Sequence, residues 1–562
     1  MKTVTPPKHG VVLEKDVEIP MRDGARLKAD VFRPRGADKY PVIINIGPYQ
    51  KDKHWVPPAD LEEKDNLYMN WEAVNPLWWI PRGYIAVRVD GRGSGKSPGQ
   101  TDPFSLHEAR DFYDAIEWAA RQPWSNGKIG TLGISYYAMT QWLVASLKPP
   151  SLKAMIPWEG AADMYRDFAY HGGIFCFGFV SNWYNNHMAH HLLGKPQEYN
   201  PDTFAKHWLW HYMRDSLDTG CYHGRQALWE SIDIPLYTVG NWSGMGLHLR
   251  GNTEAFVRAK SKHKKLRIHS GTHYHPFYAE EARKDQLRFF DHWLKGKDTG
   301  FMKEPPVKLL IRTGGGKNYQ WRYENEWPLA RTRWTQFFLR PVRQNPRKGD
   351  SVEGRLATTA PKNRDSVTYP ASVTTKAGVA SASWTSTALA GSLPRMGVSF
   401  ETERLPAAME ITGPINLVLW VSSSTEDMDI FATLRNIGRD GKDVWEVGQQ
   451  QQPVPVAKGW LRVSHRKLDK KLSLPYRPYH THDQRQPLKP GQIVQVEVEI
   501  WPTCMVFAKG HRIRLDIEPR DGVGSAPYTH YHADYKTGAN TIYTGGKFAS
   551  HVLLPVIPPL QL

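Results

Sequence analysis

Short apolar runs closed by glycine alternate with stretches of helical period over the first third of the chain. Tyr40 to Ile46 ends in Gly47-Pro48, Tyr84 to Val89 ends in Asp90-Gly91-Arg92-Gly93-Ser94-Gly95, and Lys128 to Ile134 runs into Ser135. Strands buried on both faces of a parallel sheet read this way, because neither face meets water. Val11 to Pro20 and Ala25 to Arg33 flank the turn signal Arg22-Asp23-Gly24 and predict a hairpin. Ser105-Leu106-His107-Glu108 has capping-box spacing, and Leu106, Phe112, Tyr113, Ile116 and Ala120 follow at helical spacing. Strand, helix, strand in that order predicts a right-handed crossover and a parallel sheet. A helix from Tyr136 to Leu147 follows the Lys128 strand directly, and Leu152 to Pro157 is a further strand.

The pattern then changes. Asp163 to about Ser231 is rich in aromatic residues and histidine and reads as helices without sheet, an insertion placed as a cap over a site. Strands resume at Pro235 to Val239 and Lys265 to Ile268, and Glu280 to Leu294 is an amphipathic helix. Beyond about residue 305 the helical period fades. Val307 to Arg312, Thr335 to Leu339, Ile415 to Val421, Ile430 to Leu434, Ile493 to Trp501, Ile513 to Ile517 and His551 to Pro555 read as strands between turn clusters. Many strands without crossover helices suggest an antiparallel sandwich or jelly roll. Arg355 to Ser392, rich in Ser, Thr and Ala, reads as loops and short strands.

Composition narrows the classes. At 562 residues the chain is too long for one core. Hydrophobic residues at 40% and charged residues at 23% fit a globular protein. The net charge of +17 is spread along the chain, with no basic run and no nucleic-acid motif, so no nucleic-acid partner is expected. Cys176, Cys221 and Cys504 are widely separated, which argues against a disulfide framework and a zinc site. Neither a signal peptide nor an apolar run of about 18 residues is visible, so the expectation is a cytoplasmic protein without a membrane partner. Oligomeric state stays open, a homo-oligomer included.

The strongest chemical signal is Gly133-Ile134-Ser135-Tyr136-Tyr137-Ala138, between a strand and a helix. A sharp strand-to-helix turn holds a serine hydroxyl clear of the sheet beside a helix N-terminus, as acyl transfer needs. The usual fifth residue of this motif is glycine; here it is Tyr137, with Ala138 one place later. The alternative is an N-capping serine without chemistry. Asp90 to Ser97 ends like a phosphate-binding loop in Gly95-Lys96-Ser97, but Asp90 stands where that motif needs its first glycine, so nucleotide binding is rejected.

With these residues in place the chain resembles the cocaine esterase and X-Pro dipeptidyl-peptidase (CocE/NonD) family of serine hydrolases. Met21-Arg22-Asp23-Gly24 with Leu27, Ala29, Asp30 and Pro34 is similar to its opening hairpin, and Gly47-Pro48-Tyr49 to its oxyanion segment. Asp90 to Ser97 with Gln122-Pro123-Trp124 resembles its lead-in to the nucleophile. Ile411-Thr412-Gly413-Pro414, Asp427-x-Asp429 and Lys509-Gly510-His511-Arg512 resemble its jelly-roll domain. The resemblance implies an α/β fold in three parts. An α/β-hydrolase domain over residues 1–162 and 232–325 carries an inserted helical cap over 163–231. A jelly-roll β-sandwich domain over 326–562 packs alongside.

Ser135 is then the nucleophile of an ester or amide hydrolase, working on a small-molecule substrate through an acyl-enzyme and needing no cofactor. The backbone N–H of Tyr136 is one oxyanion donor. The resemblance makes the Tyr49 hydroxyl the other. Chain order in this fold is serine, acid, histidine, so the base is sought after the last strand, in His269-Ser270-Gly271-Thr272-His273-Tyr274-His275. The resemblance favours His273, with His275 the alternative and His269 inside the strand. The family's Gly-Trp-x-Asp stretch reads Gly240-Asn241-Trp242-Ser243-Gly244 here, and glycine holds the aspartate's place. Glu159 at the end of the preceding strand, a neutral histidine oriented by Asn241, or a site with no acid are the open readings. Phe175, Phe177, Trp183 and Trp242 are candidate substrate-pocket residues, Phe179 beside them. His187 and His191 have i, i+4 spacing without the intervening glutamate of a zinc motif, so no metal is expected. An X-Pro-type peptidase or amide acylase is the enzymatic alternative. A catalytically defunct hydrolase acting as a binding protein is the alternative from another class.

Overall fold

The structure, a computed structural model, describes residues 3–4, 10–189, 208–316, 319–342, 353–371, 374–375, 378–379, 396–525, 527–531 and 538–559. His191 lies outside them.

The first half is built on one eleven-stranded sheet. Its strands are β1 (Thr3–Val4), β2 (Val11–Pro20), β3 (Arg26–Pro34), β4 (Tyr40–Gly47), β5 (Ile85–Asp90), β6 (Ser125–Ile134) and β7 (Leu152–Trp158). After a small hairpin of β8 (Tyr170–His171) and β9 (Ile174–Phe175) come β10 (Leu236–Asn241), β11 (Lys264–His269), β12 (Val307–Ile311) and β13 (Gln320–Glu324). The order across the sheet is β1-β2-β3-β5-β4-β6-β7-β10-β11-β12-β13. From β5 to β12 neighbours run parallel, while the edges β1-β2-β3-β5 and β12-β13 are antiparallel.

The apolar runs are continuous because both faces are covered. Val42, Ile44 and Ile46 of β4 pack with Phe112, Ala115 and Ile116 of the helix Leu106–Ala120. Ile43 turns the other way, into the core that holds Phe289, Phe290 and Leu294 of the helix Glu280–Lys295. Ser105 caps the first helix by accepting from the Glu108 amide at 3.2 Å. The glycine-rich stretch after β5 serves the sheet's rim. Asp90 accepts from the backbone amides of Lys51 at 2.7 Å and Lys96 at 2.9 Å, so the loop grips the segment carrying Tyr49.

The segment expected to be helical throughout is mixed. It contains the helix Phe177–Trp183, π-helical turns at Met164–Ala169 and Tyr184–Ala189, and the hairpin β8-β9. Gly172 and Gly173, at φ 54° and 86°, make the two-residue turn that joins its strands. A side chain at Gly172 would meet the Trp460 carbonyl, so the hairpin lies directly on the second half of the molecule.

That second half is a separate domain rich in strands. Its main sheet also has eleven strands, and Met409–Ser423 pairs with Val494–Phe507 on one side and His551–Ile557 on the other, closing the sheet into a barrel-like ring. Trp242 and Leu266 from the first half join Phe431, Trp460 and Trp501 from the second in one apolar cluster between the sheets. No helix among the described residues is long and apolar enough to cross a membrane.

Candidate active site

Ser135 stands between β6 and the helix Tyr136–Ser146, on the rim formed by the C-terminal ends of the parallel strands. Its backbone sits at φ 54°. A non-glycine residue there costs about 1–3 kcal/mol and persists where its surroundings fix it. Here the Ser135 N–H donates to the Trp158 carbonyl at 3.0 Å, and the Ser135 carbonyl receives Met139 N at 2.8 Å. A Cβ at Gly133 would stand 2.4 Å from Cβ of Tyr137, which is why the residue two before the serine is glycine. The fifth position tolerates Tyr137 because Gly47 supplies the missing room. A Cβ there would lie 2.6 Å from the Tyr137 ring, which packs edge-on against Tyr49 instead.

The hydroxyl of Ser135 meets a histidine, at 3.1 Å from Nε2 of His248. His273, the residue expected in that place, lies one layer away. Its Nδ1 donates to Glu159 Oε2 at 2.7 Å and its Nε2 to Glu72 Oε1 at 3.0 Å. The two imidazoles stack 5.2 Å apart, 11° from parallel. His275 pairs with Asp60 at 3.0 Å, toward the surface. His269 ends β11, fully buried, its ring stacked on Trp158.

Glu159 is the carboxylate common to both rings. It follows β7 at φ 51° and is completely buried. Asn241 donates to its Oε1 at 3.0 Å, Gln449 donates to its Oε2, and Nδ1 of His248 lies 3.6 Å from that same oxygen. Asn241 therefore orients the Glu159 carboxylate, while Gly244 closes a turn onto the Asn241 carbonyl at 2.9 Å. Three ligand-type atoms of Glu159, His248 and His273 lie within 4.8 Å of one another, already tied together by these contacts.

The environments of the rings differ in sign. Burial works against a charge on His273, but Glu159 and Glu72 outweigh it and push its pKa up to about 10. Burial, reinforced by the adjacent His273 charge, holds His248 well below the ordinary imidazole range. Burial raises the Glu72 carboxyl, with His273 opposing. At neutral pH His248 is a neutral ring and His273 an imidazolium.

Tyr49 borders the same cavity as Ser135, which holds about 440 Å³. The indole of Trp183 donates to the Tyr49 oxygen at 3.1 Å. Burial keeps the Tyr49 hydroxyl protonated, so it acts as a donor. Tyr136 opens the helix, where backbone N–H groups have no intrahelical partner. Its side chain is anchored by donating to Glu108 at 2.7 Å.

Of the expected pocket residues, Trp183 lines this cavity, as does Phe179. Phe175, Phe177 and Trp242 do not. Phe175 packs on Tyr170 in the hairpin, and Phe177 opens its helix partly exposed. Trp242 is buried on Trp327 with its indole bonded to the Leu310 carbonyl at 2.9 Å. Their aromatic character marked packing between layers. His187 reaches the cavity wall and stacks on Trp71 at 6.2 Å.

Four residues of the site escaped the sequence reading: His248, Glu72, Gln449 and Tyr528. A signal existed for the first. His248 follows β10 in the loop where the family carries its acid, so a titratable group was due there. Glu72 sits in an irregular segment, and Gln449 and Tyr528 come from the other domain, where no local pattern points to the serine.

Both halves of the chain are similar to known proteins. Residues 23–275 match the X-Pro dipeptidyl-peptidase (S15 family) model, and residues 299–553 match the X-Pro dipeptidyl-peptidase C-terminal non-catalytic domain. A solved CocE/NonD family hydrolase from Staphylococcus aureus is 32% identical, with 98% of this chain and 94% of that chain covered and a TM-score of 0.85. The cocaine esterase of a Rhodococcus species is 25% identical, covering 96% of this chain and 98% of its own length. An aminopeptidase from a marine sediment Thaumarchaeota archaeon shares the fold at 16% identity and a TM-score of 0.71, over 99% of this chain and 98% of that chain.

Proposed function

The chain belongs to the CocE/NonD family of hydrolases, and we propose that it cleaves a carboxylic ester through an acyl-enzyme on Ser135. The observation that carries this reading is the 3.1 Å contact between Ser135 Oγ and a neutral His248, at a strained strand-to-helix turn facing a cavity. Ser135 attacks the carbonyl carbon as His248, in the tautomer protonated on Nδ1, takes its proton on Nε2. Glu159 stabilises the imidazolium that forms. The Tyr49 hydroxyl and the Tyr136 N–H receive the oxyanion, a pair of donors of which each is worth about 3–4 kcal/mol. Collapse breaks the bond to the leaving group, which takes the proton from His248. Water, deprotonated by the same ring, releases the acid product and restores the serine.

Glu159 also weakens the reading of a defunct binding protein, whose basis was an absent acid. Under this proposal the first half is an α/β-hydrolase domain with an inserted cap, and the closed sheet of the second half is a jelly-roll partner. Labelling with a fluorophosphonate, followed by turnover of p-nitrophenyl esters and matched anilides, tests it. Labelling and ester turnover should both vanish in Ser135→Ala. An unlabelled, folded wild type overturns the reading, and faster anilide than ester turnover moves it to an amidase or X-Pro-type peptidase.

A further inference from the structure

A loop of the strand-rich domain reaches in among the catalytic groups. The Val447 carbonyl accepts from the Ser243 hydroxyl at 2.6 Å, and the Gln449 carbonyl accepts from the His273 amide at 3.0 Å. The loop is thus tied to the segments that carry both histidines. The Gln449 side chain is buried among them. Its Oε1 accepts from the Tyr528 hydroxyl at 2.6 Å, and its Nε2 donates to Glu159 Oε2. The reverse orientation would set two acceptor oxygens against each other at Glu159, so the network assigns the two ends of the amide.

An amide nitrogen carries two hydrogens. The second faces Nδ1 of His248 at 3.2 Å. Nδ1 of His273, 3.4 Å away, already donates to Glu159 and offers no lone pair. Nδ1 of His248 is therefore an acceptor, and the neutral ring holds its one proton on Nε2, toward Ser135. In that tautomer Nε2 has no lone pair for the serine proton. The ring becomes a base when the proton resides on Nδ1, facing Glu159 Oε2 at 3.6 Å.

We propose that Gln449 is a positioning residue for the catalytic base: its amide, delivered from the strand-rich domain, decides which nitrogen of His248 carries the proton. The proposal rests on His248 as the base and deepens that reading. The exchange is balanced within the site. Nε2 releases one proton, Nδ1 gains one through water in the cavity, and the second amide hydrogen turns toward the cavity, which Gln450 and Gln451 also line. Docking of the second domain is thereby coupled to the readiness of Ser135.

The groups facing His248 set the sign of the test. They are Ser135, Glu159, the charged His273 ring and, behind Gln449, Tyr528; Glu72 and His269 stand one contact farther out. An N–H aimed at Nδ1 opposes a second proton on the ring, as the His273 charge does. Removing it makes His248 easier to protonate. In Gln449→Leu the acid limb of the kcat/KM profile for p-nitrophenyl acetate should move up by about one pH unit. Tyr528→Phe, which frees the amide to turn, should move it the same way by less, and it carries the test if Gln449→Leu fails to fold. Active sites are counted with the fluorophosphonate, so a structural loss lowers the count without moving the limb. Limbs that stay in place in the folded variants, with kcat/KM per active site within about twofold of wild type, overturn the proposal. Failure of the underlying reading shows separately, as turnover that survives in His248→Ala.

Discussion

His248 and His273 share one carboxylate and one stacking contact, yet the structure gives them opposite states. His273 lies between Glu159 and Glu72 and holds its proton up to a pKa of about 10. His248, buried against that cation, is held neutral and touches Ser135. A ring that is already charged has no lone pair to receive a serine proton, so proximity to the acid is not what makes a histidine a base. Glu159, at 2.7 Å from His273 but 3.6 Å from His248, makes the difference first, and Glu72 adds to it by holding the charge on His273.

The comparison is broken most directly by removing each ring in turn. His248→Ala should lower kcat for p-nitrophenyl acetate by about ten-thousandfold or more, the scale of losing a triad histidine. His273→Gln should cost roughly tenfold, the size of one lost charge-assisted hydrogen bond. Equal losses, or a larger loss in His273→Gln, would mean that the rings exchange places during turnover. Between these lies Tyr49→Phe. It keeps the ring packed on Tyr136 and Tyr137 and deletes the proposed oxyanion donor, so kcat should fall by about a hundred- to a thousandfold with little change in KM.

The charge on His273 also has a stability signature. Folded, the ring binds its proton more tightly than at its ordinary value of 6.5, with a pKa of about 10. The stabilisation is complete below the unfolded value and is lost as pH rises through the folded one. The wild-type Tm should fall between about pH 6.5 and pH 10, and the fall should be shallower in His273→Gln. Parallel curves for the two proteins would remove the imidazolium from the account.

What was legible in the sequence follows from the range of the interactions. The elements of the first sheet were readable because their signals are local: Gly47-Pro48 closing β4, Ser105 with Glu108 opening a helix, Gly133-x-Ser135 at the strand-to-helix turn. Glu159 could be placed beside the site because strand ends of a parallel sheet share a rim. The partner of Ser135 was not, since His248 lies 113 positions away in a loop whose expected residue was an acid. Gln449 is 290 positions from Glu159 and sits in a different domain. The hairpin β8-β9 was missed because an aromatic-rich stretch has no clear period, although Gly172-Gly173 is itself a turn signal. Phe175, Phe177 and Trp242 were read as pocket residues from their type alone, which does not distinguish a ring that lines a cavity from one that joins two layers.

The smallest expected effect falls on Trp183, in the lining of the same cavity. The Trp183 indole donates to the Tyr49 oxygen at 3.1 Å and its ring stacks on Tyr136 with centroids 6.1 Å apart, so it contacts both residues proposed as oxyanion donors. Its N–H occupies one lone pair of the Tyr49 hydroxyl and orients that group without contacting the reacting carbonyl. Trp183→Phe keeps an apolar ring and removes the donor. A neutral hydrogen bond of this kind contributes about 0.5–1.5 kcal/mol, so kcat should fall by about two- to tenfold. Combined with Tyr49→Phe, which removes the acceptor, the loss should shrink toward nothing. Fully additive effects in that double variant would show that Trp183 acts on the cavity wall and not through the Tyr49 hydroxyl.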